Sequence, residues 1–580
     1  MADTPKVLIV GAGPSGLVAA LTLLQNGVPV RIIDRAPKFH IGQRGAGITP
    51  RTLEVYEFLG VLPDILKAGF ILPMIRSYEV GTLKILKEFY MSPFIDPEPA
   101  FPYLNSLTLG QNSAEHILRT HLAAKYGCGV DRGTELRSFT QDDSRVTAQI
   151  VKTLDGGEEI CEEVVVDWLI GTDGARGTVR KQLGLAFLGD TRHNEHFLVA
   201  DIRLEGLDRE RWHMWGDFSS EMVGLRPTEN GDIFWLLGAT AHGQHEKLAS
   251  DPKEMEKWMR QIADLSNVKI HEFITLNHFN PNIRMVDKFG DGRVFVAGDA
   301  AHVHTPFGGQ GMNSSVMDSF NLAWKLALVC KGLSAPSLLT TYTEERLPVI
   351  AEMLKKTTSL QNRMVQSKRT ASSLLSNGSN VKPTNQTPDG ATEENPWIRG
   401  RVLTQLGVNY RWSPIVLDER FLSNGKRDAL QGAYGDSNEK AKSSGLRPGD
   451  RGPDAPGLLD LRATPHSATT RLFQLFRPYY HTILIFASTP EVVSSTRGVC
   501  QRYASDIVRL TLVLPSRMLL DRCNLDGDCD FLLKDCFGYA YAAYSVPEGG
   551  RIVIVRPDGI VGAIVNGTEG VERYLQAIFI

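Results

Sequence analysis

Short apolar runs that end in glycine recur along this chain, and most lead into a stretch with helical periodicity. Val7-Leu8-Ile9-Val10 reads as a buried strand that runs into Gly11-Ala12-Gly13-Pro14-Ser15-Gly16, and an apolar helix then extends to about Gly27. Pro29-Val30-Arg31-Ile32-Ile33 forms the next strand and delivers Asp34 at its end. Val164-Val165-Val166-Asp167-Trp168-Leu169-Ile170 is a third strand, followed by Gly171-Thr172-Asp173-Gly174. Arg293-Val294-Phe295-Val296-Ala297 is a fourth. Beyond Gly298-Asp299 the chain passes Pro306 and Gly309-Gln310-Gly311 before a helix begins near Met312. Between about 181 and 285 the pattern changes: the runs from His196 to Leu204 and from Asp232 to Gly238 read as strands of an antiparallel sheet.

Helical periodicity continues to about Arg363. Ser367 to Glu394 is rich in Ser, Asn, Thr and Pro and poor in apolar residues, which predicts a flexible linker over 366–396. Strand-like runs return at His481 to Phe486, Ile507 to Leu514 and Arg551 to Val555, mixed with helices. The expected fold class is α/β. A Rossmann-like domain over 1–180 and 286–365 carries an inserted antiparallel-sheet domain over 181–285, and a C-terminal domain with its connecting region follows over 397–580.

The glycine segments carry the chemistry. Gly11 permits the tight turn after the first strand, Gly13 lets the backbone approach a pyrophosphate, and Gly16 lets the helix pack closely on the strand. Asp34 stands at the offset of a ribose-binding acid. Asp299 places a carboxylate where a ribitol hydroxyl can be bound. The backbone N–H groups at the helix start near Met312 carry partial positive charge, which suits the electron-rich pyrimidine edge of a reduced isoalloxazine. Asp173 can brace the flavin or a passing nicotinamide, while Arg176 and Arg180 offer charge for phosphates. These segments predict bound FAD.

In this order and at these separations, the three glycine segments resemble the FAD-dependent aromatic hydroxylases, single-component flavoprotein monooxygenases of the para-hydroxybenzoate hydroxylase type. The resemblance runs from residue 6 to about 350 and includes Gln43-Arg44-Gly45-Ala46-Gly47-Ile48-Thr49-Pro50-Arg51-Thr52-Leu53-Glu54 and Tyr342-Thr343-Glu344-Glu345-Arg346-Leu347-Pro348. Arg447-Pro448-Gly449-Asp450-Arg451-Gly452-Pro453-Asp454 and Val555-Arg556-Pro557-Asp558-Gly559 are similar to the phenol hydroxylase branch. That branch implies a thioredoxin-like C-terminal domain and a homodimer. The resemblance also implies FAD contacts from Ser15, Asp34, Arg35, Arg44, Gln111, Arg119, Asp299, Gly311, Met312 and Asn313, beside Gly309. Arg44 and Arg119 can neutralise a pyrophosphate, and Gln111 offers both a donor and an acceptor. Two positions depart from the family pattern. Gly177 stands where the family usually carries serine, and Ala46 where phenol hydroxylases carry an aspartate that activates the phenol.

The implied reaction has two halves. NADPH or NADH, docking without a second glycine fingerprint, reduces FAD while the loop of Gly45 and Gly47 gives the flavin room to swing. Molecular oxygen then forms a C4a-hydroperoxide, whose distal oxygen attacks an electron-rich ring carbon of a phenolic substrate in a pocket kept free of water. Trp215, Phe218, Phe234 and Trp235, with Pro306 and Phe307, are expected to wall that pocket. His213, Arg226 and His242 are candidates for activating the phenol. The alternative role for Arg226 is to bind a substrate carboxylate, in which case attack at the carboxylate-bearing carbon expels carbon dioxide. Two rival readings share the glycine segments: an FAD-dependent reductase of an isoprenoid-like substrate, and a non-catalytic binding protein of the same fold. Asp34, Arg44, Asp299 and the Gly309-to-Asn313 loop speak for a retained cofactor.

Composition narrows the classes further. The chain has 580 residues, 42% of them hydrophobic and 22% charged, the mixture of a large globular enzyme. A net charge of −3 argues against nucleic-acid or anionic-membrane partners. No apolar run approaches the roughly 18 residues that span a bilayer. The first strand starts by Lys6, which leaves no room for a secretory signal. Seven scattered cysteines read as buried thiols of a reducing, cytoplasmic compartment. The spacing of Cys523 and Cys529 suits neither a redox pair nor a zinc knuckle, so no metal site is expected.

Overall fold

A computed structural model describes residues 4–193, 195–218, 220–240, 243–366, 397–421, 432–435, 445–462, 469–486, 489–517 and 529–580. The linker expected over 366–396 lies outside the described residues beyond Gln366, as do His242 and Cys523.

The first sheet has six strands in the order Gly290–Asp291, Val294–Val296, Trp168–Gly171, Val7–Val10, Val30–Asp34 and Val130–Arg132. All pairs are parallel except the terminal hairpin. Val7, Leu8 and Ile9 have no exposed surface. A central parallel strand covered on both faces requires such an unbroken apolar run. The helix Pro14–Gln25 packs against the helices Gln111–Tyr126 and Gly311–Cys330. Strand order is what gathers the glycine segments. Gly11 N–H donates to Ile33 O (2.8 Å), Thr172 N–H to Val10 O (2.8 Å) and Ala297 N–H to Gly171 O (3.0 Å), so the three glycine segments and Asp34 leave the sheet at the same end of its parallel strands.

The second sheet has seven strands: Lys269–Phe279, Phe197–Glu205, Ile233–Ala239, Met222–Pro227, Arg211–Gly216, Met74–Tyr78 and Ile85–Phe89. The last two come from the first segment of the chain and join through a parallel pairing with Arg211–Gly216. The sequence reading placed this sheet within 181–285. The extra hairpin escaped it because Ile85–Phe89 is mostly exposed and shows no apolar alternation. The helix Pro252–Ile262 covers one face with Met255, Trp258, Met259 and Ile262, an i, i+3, i+4, i+7 stripe. Asp251 starts that helix by accepting from Lys253 N–H (2.9 Å).

The third sheet has eight strands, with His481–Phe486 buried at every position near its middle. That strand pairs in parallel with Val508–Pro515 and antiparallel with Arg551–Val555. The helices Pro490–Cys500 and Thr568–Ile578 pack together on this sheet.

Glu345 joins the first part of the chain to the C-terminal part. Its carboxylate accepts from Arg556 Nη1 and Nη2 (2.7 and 3.0 Å), Lys325 Nζ (2.8 Å), Asn321 Nδ2 (2.6 Å) and Ser413 Oγ (2.6 Å). Burial by itself raises the pKa of this carboxyl, but the Arg556 and Lys325 cations outweigh it and hold Glu345 well below the ordinary carboxylate range. Arg451 reaches Glu54 in the same manner (2.7 Å), and Arg51 donates to Asp558 O (2.8 Å). Buried charges persist only when paired this fully.

The expectation of buried thiols holds for part of the set. Cys330, Cys500 and Cys529 are buried, whereas Cys161 and Cys536 are exposed, Cys161 because its strand Glu159–Val166 lies largely on the surface. Among the described residues no helix is long and apolar enough to cross a membrane.

Candidate active site

The dinucleotide end is built by steric exclusion. Gly11 has φ +105°, and a Cβ added there would overlap Thr172 O; a Cβ on Gly16 would overlap Gly11 O. Gly13 is different: an added Cβ meets no protein atom within 4 Å. The open space lies at the N-terminus of the helix Pro14–Gln25, where free N–H groups attract an anion. Asp34 accepts from Ala12 N–H and Ala36 N–H, both at 2.8 Å, which fixes its carboxylate beside the turn. Ser15 is buried next to Gly298. Arg35 is exposed, and Arg119 stacks on Phe39 at 3.9 Å with Glu115 3.4 Å away. Gln111 Nε2 donates to Glu115 (2.8 Å), so Gln111, Glu115 and Arg119 form one polar cluster on their helix.

A loop over 42–49 crosses from this end towards the second sheet. Gly42 has φ +109°, and Arg44, at φ +41°, adopts a left-handed conformation unusual for a side-chain-bearing residue. Gln43 tethers the loop: its N–H donates to Asp201 Oδ2 (3.1 Å), its Nε2 to Glu229 (2.9 Å), and its Oε1 accepts from Arg226 Nη2 (3.3 Å). Asn313 Nδ2 donates to Gly47 O (2.8 Å) and Gly309 O (2.7 Å), while its Oδ1 accepts from Thr49 N–H (2.8 Å). The Asn313 side chain therefore ties two loops together, and the backbone of Gly311 and Met312 is what the helix start offers a ligand. Gly309, at φ +62°, is exposed beside them.

Asp299 is reached by water yet enclosed by protein, and that enclosure raises its pKa against the pull of His302 and Arg44. Its backbone is held by a residue the sequence reading did not single out. Asp318, fully buried in the helix Gly311–Cys330, accepts from Gly298 N–H (3.1 Å) and Arg346 Nε (2.7 Å) and lies 2.6 Å from His302 Nε2. Burial raises the pKa of this acid, but Arg346 and His302 outweigh it and leave the group below the usual range.

The Asp173 segment serves the scaffold. Asp173 Oδ2 accepts from Val179 N–H (3.0 Å), and a Cβ on Gly177 would overlap its carboxylate, which accounts for glycine at that position. Arg180 donates to Ala175 O (2.8 Å) and Ala300 O (3.2 Å) and lies over Phe187, so it joins two glycine loops.

Alternation along the second sheet separates two sets of aromatic residues. Trp212, Trp235, Phe197 and Phe218 point towards the glycine loops and meet Phe307, Trp397 and Met214 in one cluster. Phe307 lies 5.2 Å from Phe218 and 5.5 Å from Phe197, and Trp397 stacks on Phe218 at 5.4 Å. Pro306, just before Phe307, is exposed. Arg226 is buried on this face over Trp235 (5.1 Å), its pKa pushed down to about 10 by burial. Its Nε has no partner among the described residues. Trp215 and Phe234 point the other way, against the helix Pro252–Ile262, which corrects their expected place in the pocket wall. His213 shares that far face. Tyr78 OH lies 2.8 Å from its Nδ1 and Asp208 O 2.7 Å from its Nε2, so both ring nitrogens are engaged away from the cluster. Asp201, a charged residue inside an apolar run, carried a signal that was legible. Trp397 carried none, because only the tertiary fold brings it to the sheet.

These features suit FAD: an open helix N-terminus beside Gly13, a fixed acid at Asp34, cations at Arg44 and Arg119, and a second helix start at Gly311. Comparison with known proteins agrees. The family described as FAD binding domain matches residues 4–357. A flavin-dependent monooxygenase of Mycobacteroides abscessus is 32% identical, with 99% of each chain covered. Pentachlorophenol 4-monooxygenase of Sphingobium chlorophenolicum is 26% identical over 99% of this chain and 96% of its own. Among solved structures, a ternary complex of aklavinone-11 hydroxylase with FAD and aklavinone is similar with a TM-score of 0.75 at 25% identity over 99% of both chains. The flavin-dependent monooxygenase PieE, solved with FAD and substrate, shares the fold with a TM-score of 0.77 at 21% identity, over 99% of this chain and 98% of its own.

Proposed function

We propose that this chain, which belongs to the FAD binding domain family of flavin-dependent aromatic hydroxylases and monooxygenases, adds one oxygen atom from O2 to a phenolic ring at the expense of NADPH or NADH. The observation that carries this reading is an aromatic cluster with a buried cation, Arg226, facing the glycine loops. When bound, FAD would supply the redox chemistry that couples a nicotinamide reductant to O2. One oxygen atom enters the ring and the other leaves as water.

The chain's own groups hold, orient and exclude. Gly11, Gly13 and Gly16, with Arg44 and Arg119, receive the pyrophosphate, Asp34 the ribose, and Asp299 the ribitol; Gly311 and Met312 direct N–H groups at the pyrimidine edge. Trp212, Trp235, Phe218, Phe307 and Trp397 keep water from the reacting ring. Arg226 stabilises a phenolate and so lowers the phenol's pKa, the task otherwise given to a base. For a substrate with a para carboxylate, Arg226 binds that group and the reaction releases carbon dioxide. A Cβ on Gly45 or Gly47 would meet nothing within 4 Å, so the 42–49 loop can move when its Gln43 and Asn313 tethers let go.

A thioredoxin-like C-terminal domain is supported by the order strand His481–Phe486, helix Pro490–Cys500, parallel strand Val508–Pro515, then the hairpin Arg551–Val555 and Val561–Val565 before the helix Thr568–Ile578. We assign it the dimer contact; a monomer mass in light scattering would overturn that assignment. The reaction is tested by NADPH and O2 consumption of the FAD-loaded protein over a panel of phenols and 4-hydroxybenzoates. Stimulated oxidation with a product one oxygen heavier supports the monooxygenase, and carbon dioxide marks its decarboxylative form. Absence of O2 uptake with every compound would contradict it.

A further inference from the structure

Three histidines scattered in sequence meet at one end of the second sheet. His196 precedes the strand Phe197–Glu205, His278 lies near the end of Lys269–Phe279, and His245 opens the helix His245–Ser250. One nitrogen from each ring lies within 4.8 Å of the other two. His196 Nδ1 is 3.0 Å from His278 Nε2, and the rings of His196 and His245 stack with centroids 3.6 Å apart. All three are half-buried, and His245 Nδ1 is enclosed without a hydrogen-bond partner among the described residues. Asn280 Nδ2 sits 3.0 Å from His196 Nδ1 and donates to Glu195 O (2.9 Å), so His196 is fixed in place.

We propose that His196, His245 and His278 form a site for a divalent transition-metal ion of the zinc class, with water in the fourth position. The 3.0 Å contact between His196 and His278 is bridged by one imidazole proton when no ion is bound, a metal ion would take that place, and three imidazole nitrogens suit zinc, cobalt, nickel or copper rather than magnesium or calcium. Tetrahedral Zn–N bonds of about 2.0–2.1 Å place the nitrogens about 3.3 Å apart. Ring rotation that unstacks His245 from His196 closes the remaining distance. The ion's role is structural. Phe197 and Phe279 follow His196 and His278 directly, and their rings lie 5.5 Å apart in the aromatic cluster, so the metal pins two strand ends and a helix behind the pocket wall. The site needs neither FAD nor substrate and stands apart from the proposed reaction.

The test uses the full chain, treated with a chelator and titrated with Co2+ and then Zn2+, read by calorimetry and by the visible bands of cobalt. The expected result is one equivalent of Co2+ with a tetrahedral spectrum, displaced by Zn2+. His245→Ala and His278→Ala should each weaken binding at least tenfold while FAD content is kept. No cobalt spectrum in the parent protein, or equal affinity in His245→Ala, would overturn the site. His245 starts a short surface helix, so its variant decides the matter if His278→Ala fails to fold.

Discussion

Gly13 and Gly16 are three positions apart and have opposite needs. Gly16 is required by the protein itself, because a Cβ there overlaps Gly11 O; Gly13 faces open space. Gly16→Ala should destabilise the apoprotein by about 1–3 kcal/mol. Gly13→Ala should leave its melting temperature nearly unchanged and yet abolish retention of the flavin colour. Comparing apo melting with FAD content across the two variants checks both statements. These glycines were legible in the sequence because their reasons are local. The roles of His213 and Arg226 were not, since each depends on which face of a strand it occupies. His213→Ala should lower stability and leave the pH profile of kcat/KM in place. Arg226→Met should raise KM for acidic phenols and move the ionisation limb of the pH profile of kcat, which reports the bound phenol, upward by about one unit or more.

At the scale of elements, alternation was readable but its phase was not. The strand Ile233–Ala239 is apolar on both faces, so nothing in its pattern said that Trp235 and not Phe234 turns to the glycine loops. The three glycine-ended strands were recovered because an unbroken apolar run with a glycine stop is a strong local signal. The Met74–Tyr78 hairpin was missed because its strands are short and half exposed. The two faces make a paired prediction. Trp215→Ala should cost about 3–5 kcal/mol of stability by leaving a cavity, with KM unaltered. Trp235→Ala should fold and bind FAD but let water into the pocket, seen as NADPH consumed without hydroxylated product.

For the whole molecule, the family segments around Glu345, Arg451 and Arg556 were legible as marks of kinship. Their purpose was hidden, because the partners Glu345 and Arg556 stand 211 positions apart. They are one buried network. Glu345 and Asp318 both have folded pKa values held below those of the unfolded chain, so acid protonates the unfolded state first. Their contribution is complete above the ordinary carboxylate range near 4 and is lost as pH falls through the folded values. Unfolding free energy should therefore be level near neutrality and drop in acid. Glu345→Gln, which strands Arg556 and Lys325, should cost about 3–5 kcal/mol and flatten the acid limb, as denaturant titrations across pH can show. The most direct test of the central claim is turnover of the FAD-loaded protein with NADPH and a reactive phenol under isotopically labelled dioxygen. A hydroxylated product carrying one labelled oxygen, with the label otherwise in water, is the expected result; product whose new oxygen comes from solvent, or substrate reduced without label, would contradict it.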